Sequence, residues 1–281
     1  MTKGRFVIGA LLVTILVSGC AELFEFSLYG GLDPTPVPSA EDLKAQPTSE
    51  ALATLKEDFE SPTLFDELEK EPEKKAELSA YLEEVWEDLD AEPSEKQEAQ
   101  LLYADLHLRT TGGDEFVNNV TAVADDLATM ASGEMFSGDA ADIQEDVQGL
   151  FEALIPEDIA GEPEAIAELL DGLITANAAY EAFETSLEGA EPPAGTNMGE
   201  VAQSALVSFL VGTVADVVAP EGGLEEGESQ GQALYELIFS ADTTELSASL
   251  SGVSEISLDG APQNTLEAAG FELDFGGEEA L

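Results

Sequence analysis

The chain has 281 residues, 44% of them hydrophobic, and its 60 Asp and Glu against 9 Lys and Arg give a formal net charge of −51. A surface so acidic has no basic patch to release phosphate counterions, which argues against nucleic acid as a partner. A single cysteine, Cys20, and a single histidine, His107, leave no intrachain disulfide, no Cys-based zinc site and no pair of His ligands for a transition metal.

Lys3 and Arg5 precede an almost unbroken apolar run from Phe6 to Val17, and small residues lead from there to Cys20. Basic start, apolar core and small-residue exit are the order of a secretory signal peptide. The core is about a dozen residues, short of the roughly 20 that a membrane span needs. Val17-Ser18-Gly19-Cys20 resembles the lipobox of bacterial lipoproteins. The resemblance implies cleavage between Gly19 and Cys20, S-diacylglycerol on the Cys20 sulfur and an N-acyl (palmitate-type) chain on its new amine. Two or three acyl chains hold a protein at a bilayer far more firmly than one. Ala21 follows where the family's sorting rule has Asp for inner-membrane retention, so the expected location is the outer membrane if the organism has one.

Residues 20–48 read as a lipid-anchored tether. Asp33-Pro34-Thr35-Pro36-Val37-Pro38 favours an extended spacer. Leu23, Phe24, Phe26, Leu28 and Tyr29 are apolar for such a role and would either dip into the interface or pack on the body.

From Ser49 the spacing turns helical. Leu52, Leu55 and Phe59 share one face, and a turn at Ser61-Pro62 leads to Leu64, Phe65 and Leu68. Pro72 opens a helix whose stripe is Leu78, Tyr81, Leu82, Val85, Trp86 and Leu89. Tyr81, Leu82 and Trp86 could line a pocket or fill a core. Pro93 and Ser94 begin the next helix, with Ser94 and Gln97 spaced as a capping box. It carries Leu101, Leu102, Leu106 and Leu108 to Gly112-Gly113. Asp114 then caps a helix with Phe116, Val120, Leu127 and Met130. After a loop at 132–138, Asp139 caps one with Ile143, Val147, Leu150, Phe151 and Leu154, which Pro156 ends. Pro163 opens another, through Ile166, Leu169, Leu170, Leu173, Ile174, Tyr180 and Phe183 to about Leu187.

Asn197 to Ala219 is the most apolar part beyond the leader, with Asp216 its only charge from Val201 onward. It reads as a buried central helix, or as the floor of an apolar groove; Gln203, Ser204, Ser208, Gly212 and Thr213 weaken a membrane reading. An acidic Gly-rich loop at 221–228 precedes a helix at 229–240. Leu246 to Leu258 fits strand or helix, and Pro262 to Gly270 suggests one more short helix before a loose tail.

The expected fold is all-α, an irregular bundle or short α-solenoid of antiparallel helix pairs over residues 49–260, with a C-terminal helix and tail at 261–281. Leu101-Leu102 through Gly112-Gly113-Asp114 to Phe116, and Leu169-Leu170 through Ala178-Ala179-Tyr180 to Phe183, resemble the helix–turn–helix of tetratricopeptide repeats. Leu102 and Leu170 are 68 residues apart, twice a repeat of about 34. Phe136, at the intermediate position, falls in a loop.

Motifs for chemistry are few. Gly227-Glu228-Ser229-Gln230-Gly231 matches the G-x-S-x-G nucleophile elbow, but an acidic loop precedes it and no His follows it, so Ser229 reads as a helix N-cap with Gln232 at the capping-box position. His107, with Asp105 near it in sequence, reads as structural. No calcium-loop pattern, P-loop or dinucleotide fingerprint occurs. Residues 110–281 hold 36 acidic residues and no Lys or Arg, and loss of Lys3 and Arg5 takes the charge from −51 to about −53. Salt adaptation is the preferred explanation, because salt screens such self-repulsion; a surface that collects cations or a basic partner is the rival.

The reading that results is a lipid-anchored, exported helical scaffold of the cell envelope that binds an envelope protein or a small ligand. It has no catalytic, cofactor or metal residues, and its one modified residue is Cys20. The alternatives are an accessory solute-binding component of a transporter with an apolar groove, and a carboxylate-dependent hydrolase of cell wall or carbohydrate.

Overall fold

A computed structural model describes residues 37–120, 148–218, 224, 227–240 and 262–270. The lipobox with Cys20, the apolar cluster from Leu23 to Tyr29, Leu127, Met130, Phe136, Asp139, Ile143, Val147 and the 246–258 stretch lie outside the described residues, as do residues 271–281. Among the described residues the fold is an all-α bundle with no strand. Its helices are α1 (Ala40–Lys44), α2 (Thr48–Phe59), α3 (Pro62–Lys70), α4 (Pro72–Glu87), α5 (Pro93–Arg109), α6 (Gly113–Asn119), α7 (residues 148–154), α8 (Pro163–Ser186), α9 (Met198–Val218), α10 (Gln230–Tyr235), which runs into a π-helical turn at Glu236–Ser240, and α11 (Gln263–Ala268).

Helix starts follow local chemistry. α3, α4, α5 and α8 each begin with Pro at the first helical position, where its missing N–H costs nothing and its fixed φ suits the helix. Ser39 and Ser229 cap α1 and α10, their hydroxyls accepting the amides of Asp42 and Gln232 at 3.1 Å. The cap of α5 differs from the sequence expectation. Glu92 and Glu95 form the reciprocal box, because Pro93 occupies the first helical position and moves the cap one residue ahead of it. Ser94 therefore lies inside the helix, and Gln97 turns inward to donate to the Ser186 carbonyl at 3.3 Å. Asp114 likewise sits in the first turn of α6, behind Gly112 at the cap.

Two apolar cores share α5. The first joins Leu43, Leu52, Leu55, Phe59, Leu64, Phe65, Leu68, Leu78, Tyr81, Leu82 and Val85 with Ala99, Leu102 and Leu106 of α5. The second gathers Phe116, Leu150, Phe151, Leu154, Leu169, Leu170, Leu173, Val207, Val211 and Leu234 around Ala104 and Leu108. Trp86 and Tyr103 pack against both cores, their rings edge-on at 4.7 Å, so Tyr81, Leu82 and Trp86 serve packing. Leu89 departs from the expected stripe: α4 ends at Glu87, and Leu89 stands 93% exposed in the connection. The folded body also begins earlier than residue 49, since Leu43 is buried and Val37 packs on the first core.

α8 is the central helix. It lies antiparallel to α5 and also packs against α6, α9, α10 and α11. That place was expected for the 197–219 helix, which is more apolar and is itself largely buried against α6, α8, α10 and α11, about two thirds of its Met198–Asp216 window being covered. α8 is unbroken for 24 residues, so Ala178-Ala179-Tyr180 is mid-helix. The helix–turn–helix expected there does not form, because nothing in the Ala-rich sequence interrupts the intrahelical bonds.

Basic side chains occur only up to Arg109, and there ion pairs are plentiful: Lys44–Glu84, Lys56–Glu98 at 3.0 Å, Lys70–Glu67 at 3.0 Å and Lys74–Glu71. All are open to water and each contributes little. Arg109 does more. Its guanidinium lies 3.8 Å over the Phe65 ring, donates to the Phe59 carbonyl and reaches Asp105, pinning the α2–α3 corner to α5.

Beyond Arg109 no cation is left, and two α8 carboxylates accept backbone amides instead. Asp171 accepts from Gly231 N at 2.7 Å. Glu184 accepts from Asn264 N and from Thr265 N and Oγ1, the last two at 2.8 Å. Gly231 has to be glycine, because a Cβ there would stand 2.3 Å from the Ala167 carbonyl oxygen and 2.6 Å from Asp171 N. Gly231→Ala should therefore lower stability by about 1–3 kcal/mol, whereas Gly149→Ala, which meets nothing within 4 Å, should leave it unchanged or slightly raised. Thermal melts of the two variants check this, and equal melting temperatures would contradict the close approach.

Candidate functional site

The only histidine sits at the seam between α4 and α5. His107 Nε2 and Ser79 Oγ are 3.1 Å apart, and the Tyr103 ring lies 4.4 Å from the imidazole. Lys75 is one turn before Ser79 on α4. Burial pushes the Lys75 ammonium below its usual range, while Glu168 and Glu69 oppose the fall. Burial first, and Lys75 second, push His107 down to about 4. The ring is therefore neutral near pH 7 and free to share a proton with Ser79. A hydrolytic pair needs more than this contact: a carboxylate orienting the other ring nitrogen, and N–H donors aimed at a developing oxyanion. Ser79 lies mid-helix, where backbone amides are already used. Asp105, expected near His107 from its sequence position, engages Arg109 at 3.5 Å instead. The arrangement suits a structural hydrogen bond between two helices.

The one histidine pairs with Ser79 and not with the G-x-S-x-G stretch. Each of its defining residues answers a backbone demand: Gly227 has φ +91, Ser229 caps α10, and Gly231 passes against the α8 backbone. Gln232 does not close the box back onto Ser229; its side chain donates to Glu236 at 3.1 Å.

A second group of ionisable residues gathers where α5, α6, α8 and α9 meet. Asp105 is pushed up to about 6 by burial, with Arg109 pulling it down and Asp114 and Glu200 adding repulsion. Protein surrounds this carboxyl closely, yet 42% of its side chain stays open to water, so it can still exchange a proton. Burial also raises Asp114, against the pull of backbone amides and Arg109. Tyr180 is raised by burial, with Asp105 and Glu200 acting in the same direction and a hydrogen bond to Ser204 opposing them. A carboxylate-based hydrolase needs two such acids facing each other across a cleft.

A described cleft shares Tyr180 with this group but is not lined by Asp105, Asp114 or Glu200. It is a notch of about 170 Å³ between α8, α9 and the start of α11. Tyr180, Ala205, Phe209 and Pro262 form its apolar walls, and Asn177, Glu181 and Glu184 its polar edge. α9 thus supplies an apolar wall through Ala205 and Phe209, and the rim is acidic. Asn177 Nδ2 donates to Glu181 at 2.8 Å, and both Glu184 oxygens hold α11. Among the described residues, no three His, Cys, Asp or Glu side chains converge as metal ligands.

Several of these features have no linear signature. The Ser79–His107 contact joins residues 28 apart, and the Glu184–Asn264 contact joins residues 80 apart. The one hint is Asp171, an acidic residue set within the apolar run of α8. No family model, curated protein or solved structure matches the chain.

His107 gives a direct check. Its folded value lies below the unfolded value of about 6.5, so the neutral ring contributes stability fully above that pH. The contribution is lost as pH falls toward 4. Asp105, raised to about 6, has the opposite sign: its protonated form is favoured on folding, and that contribution is lost as pH rises through 6. The Hε1 and Hδ2 resonances of the one imidazole should move in a proton NMR titration with a midpoint near 4. A midpoint near 6.5 would mean a solvated ring.

Proposed function

We propose that the protein is a lipid-anchored, exported helical scaffold of the cell envelope, non-catalytic, that binds another envelope protein or a small ligand. The observation that carries the reading is the basic start, apolar run and Val17-Ser18-Gly19-Cys20 at the head of the chain. The structural findings fit around it. The body is an all-α bundle with its own apolar cores, and it needs no disulfide. Pro34 and Pro36 stand between Cys20 and that body, and a Pro-rich segment of this kind holds a domain off a bilayer. Cys20 then carries the diacylglycerol thioether and the N-acyl chain, Gly19–Cys20 is the cleaved bond, and the acidic body faces solvent on the outer membrane where one exists.

Binding is favoured over hydrolysis by one observation. Asp105, the carboxyl with the strongest rise, is paired to Arg109 and does not line the described cleft. The cleft, at about 170 Å³, would accept only a small solute, so a protein partner on the helical surface is the stronger form of the proposal.

Cys20→Ala should abolish labelling by a lipid precursor and release the protein from membranes into the soluble exported fraction. Unchanged membrane association would refute the anchor. The extreme acidity is read as salt adaptation. The melting temperature should rise steadily from low to molar salt as the Debye length shrinks to about 3 Å; a flat response would favour a surface built to collect cations.

A further inference from the structure

We infer that α11 is a strap that leaves and re-seats on α8 and α9 while the rest of the bundle stays folded, with Glu184 as its catch. Six residues are too few for a helix that is stable without tertiary contacts, so what holds α11 is its docking. Among the described residues, every polar contact that ties it to the bundle ends on Glu184. The carboxylate accepts from Asn264 N, Thr265 N and Thr265 Oγ1, and the Glu184 carbonyl accepts from Asn264 Nδ2. Among the described residues its apolar hold is small as well, with Pro262 and Leu266 its buried apolar side chains. Ala269 rests on a satellite cluster of Phe183, Leu187 and Met198 that is separate from the two main cores.

α10 shows the contrast. It too is held at its N-terminus by an α8 carboxylate, Asp171. But Leu234 and Ile238 are embedded in the second core, and Gly231 lies directly against the α8 backbone. α10 cannot lift away without opening that core, whereas α11 can. Local opening of this kind takes far less free energy than global unfolding.

The strap bears on the cleft. Pro262, immediately before α11, is one of its walls, and Glu184, the catch, is on its edge. Seated, α11 closes one end of the notch beside Tyr180 and Phe209. Lifted, it removes the Pro262 wall and leaves a longer trough between α8 and α9. The strap therefore sets the size of what the cleft admits, and it does so whether or not Cys20 carries lipid.

Amide hydrogen exchange on the full chain as isolated tests this, comparing the parent with Glu184→Gln and Leu266→Ala. In the parent, the amides of Leu266 and Ala269 should exchange faster than those of mid-α8. Each substitution should accelerate them by a further tenfold or more, about the loss of one charge-assisted hydrogen bond or one buried side chain, with α5 and α8 amides unchanged. Exchange of α11 at the α8 rate in the parent, or parallel acceleration of α8 in both variants, would show that α11 belongs to the global folding unit and would overturn the strap.

Discussion

The second half of this chain has to fold without a single cation, and α8 is the solution. An acidic side chain brought into a protein interior needs a partner, and where Lys and Arg are absent the remaining donors are backbone amides. The N-terminal turn of a helix offers several that are otherwise unpaired, along with the positive end of the helix dipole. Asp171 and Glu184 of α8 use this, each accepting amides from the first turn of a short later helix. The same contacts satisfy the carboxylates and place α10 and α11. An excess of acid, which would otherwise only repel, becomes the means by which C-terminal segments are positioned.

The first half works differently. There the basic residues are present, and most pair on the surface, where the pairs improve solubility and local charge balance more than stability. Arg109 is the exception, since its stacking on Phe65 and its bond to the Phe59 carbonyl tie a corner to the seam helix α5. α5 then carries one core on each side. The two halves thus meet along a helix whose faces were selected for different neighbours, with Trp86, Tyr103 and His107 filling the junction.

The junction also explains why the residues with the most chemical potential combine so little. His107 is neutral and hydrogen-bonded to Ser79 in a packed seam, and Asp105 is held by Arg109. A cleft that could admit a solute lies between α8, α9 and α11, and neither His107 nor Asp105 lines it. That distribution supports the scaffold role we propose, with specificity in surface and groove.

Much of the fold was legible in the linear sequence. Four helices announce themselves by Pro at their first position, and the apolar spacing marks the buried faces of α2, α3, α4 and α8 because a helix repeats every 3.6 residues whatever it packs against. The proposed lipobox resemblance is likewise local, since it rests on adjacent residues, Val17-Ser18-Gly19-Cys20. What the sequence could not decide depends on distance. The sequence made 197–219 the natural candidate for the centre, but centrality belongs to α8, because neighbours on every side rather than hydropathy define it. Ser229 and Gly231 match a catalytic motif letter by letter, yet serve a cap and a close backbone approach. Asp171 and Glu184 look like any other acids of this chain until α10 and α11 bring their amides to them. Propensity and capping act over a few residues and could be read in order. Burial, pKa and partnership arise from contacts across tens of residues, so only the tertiary structure determined them.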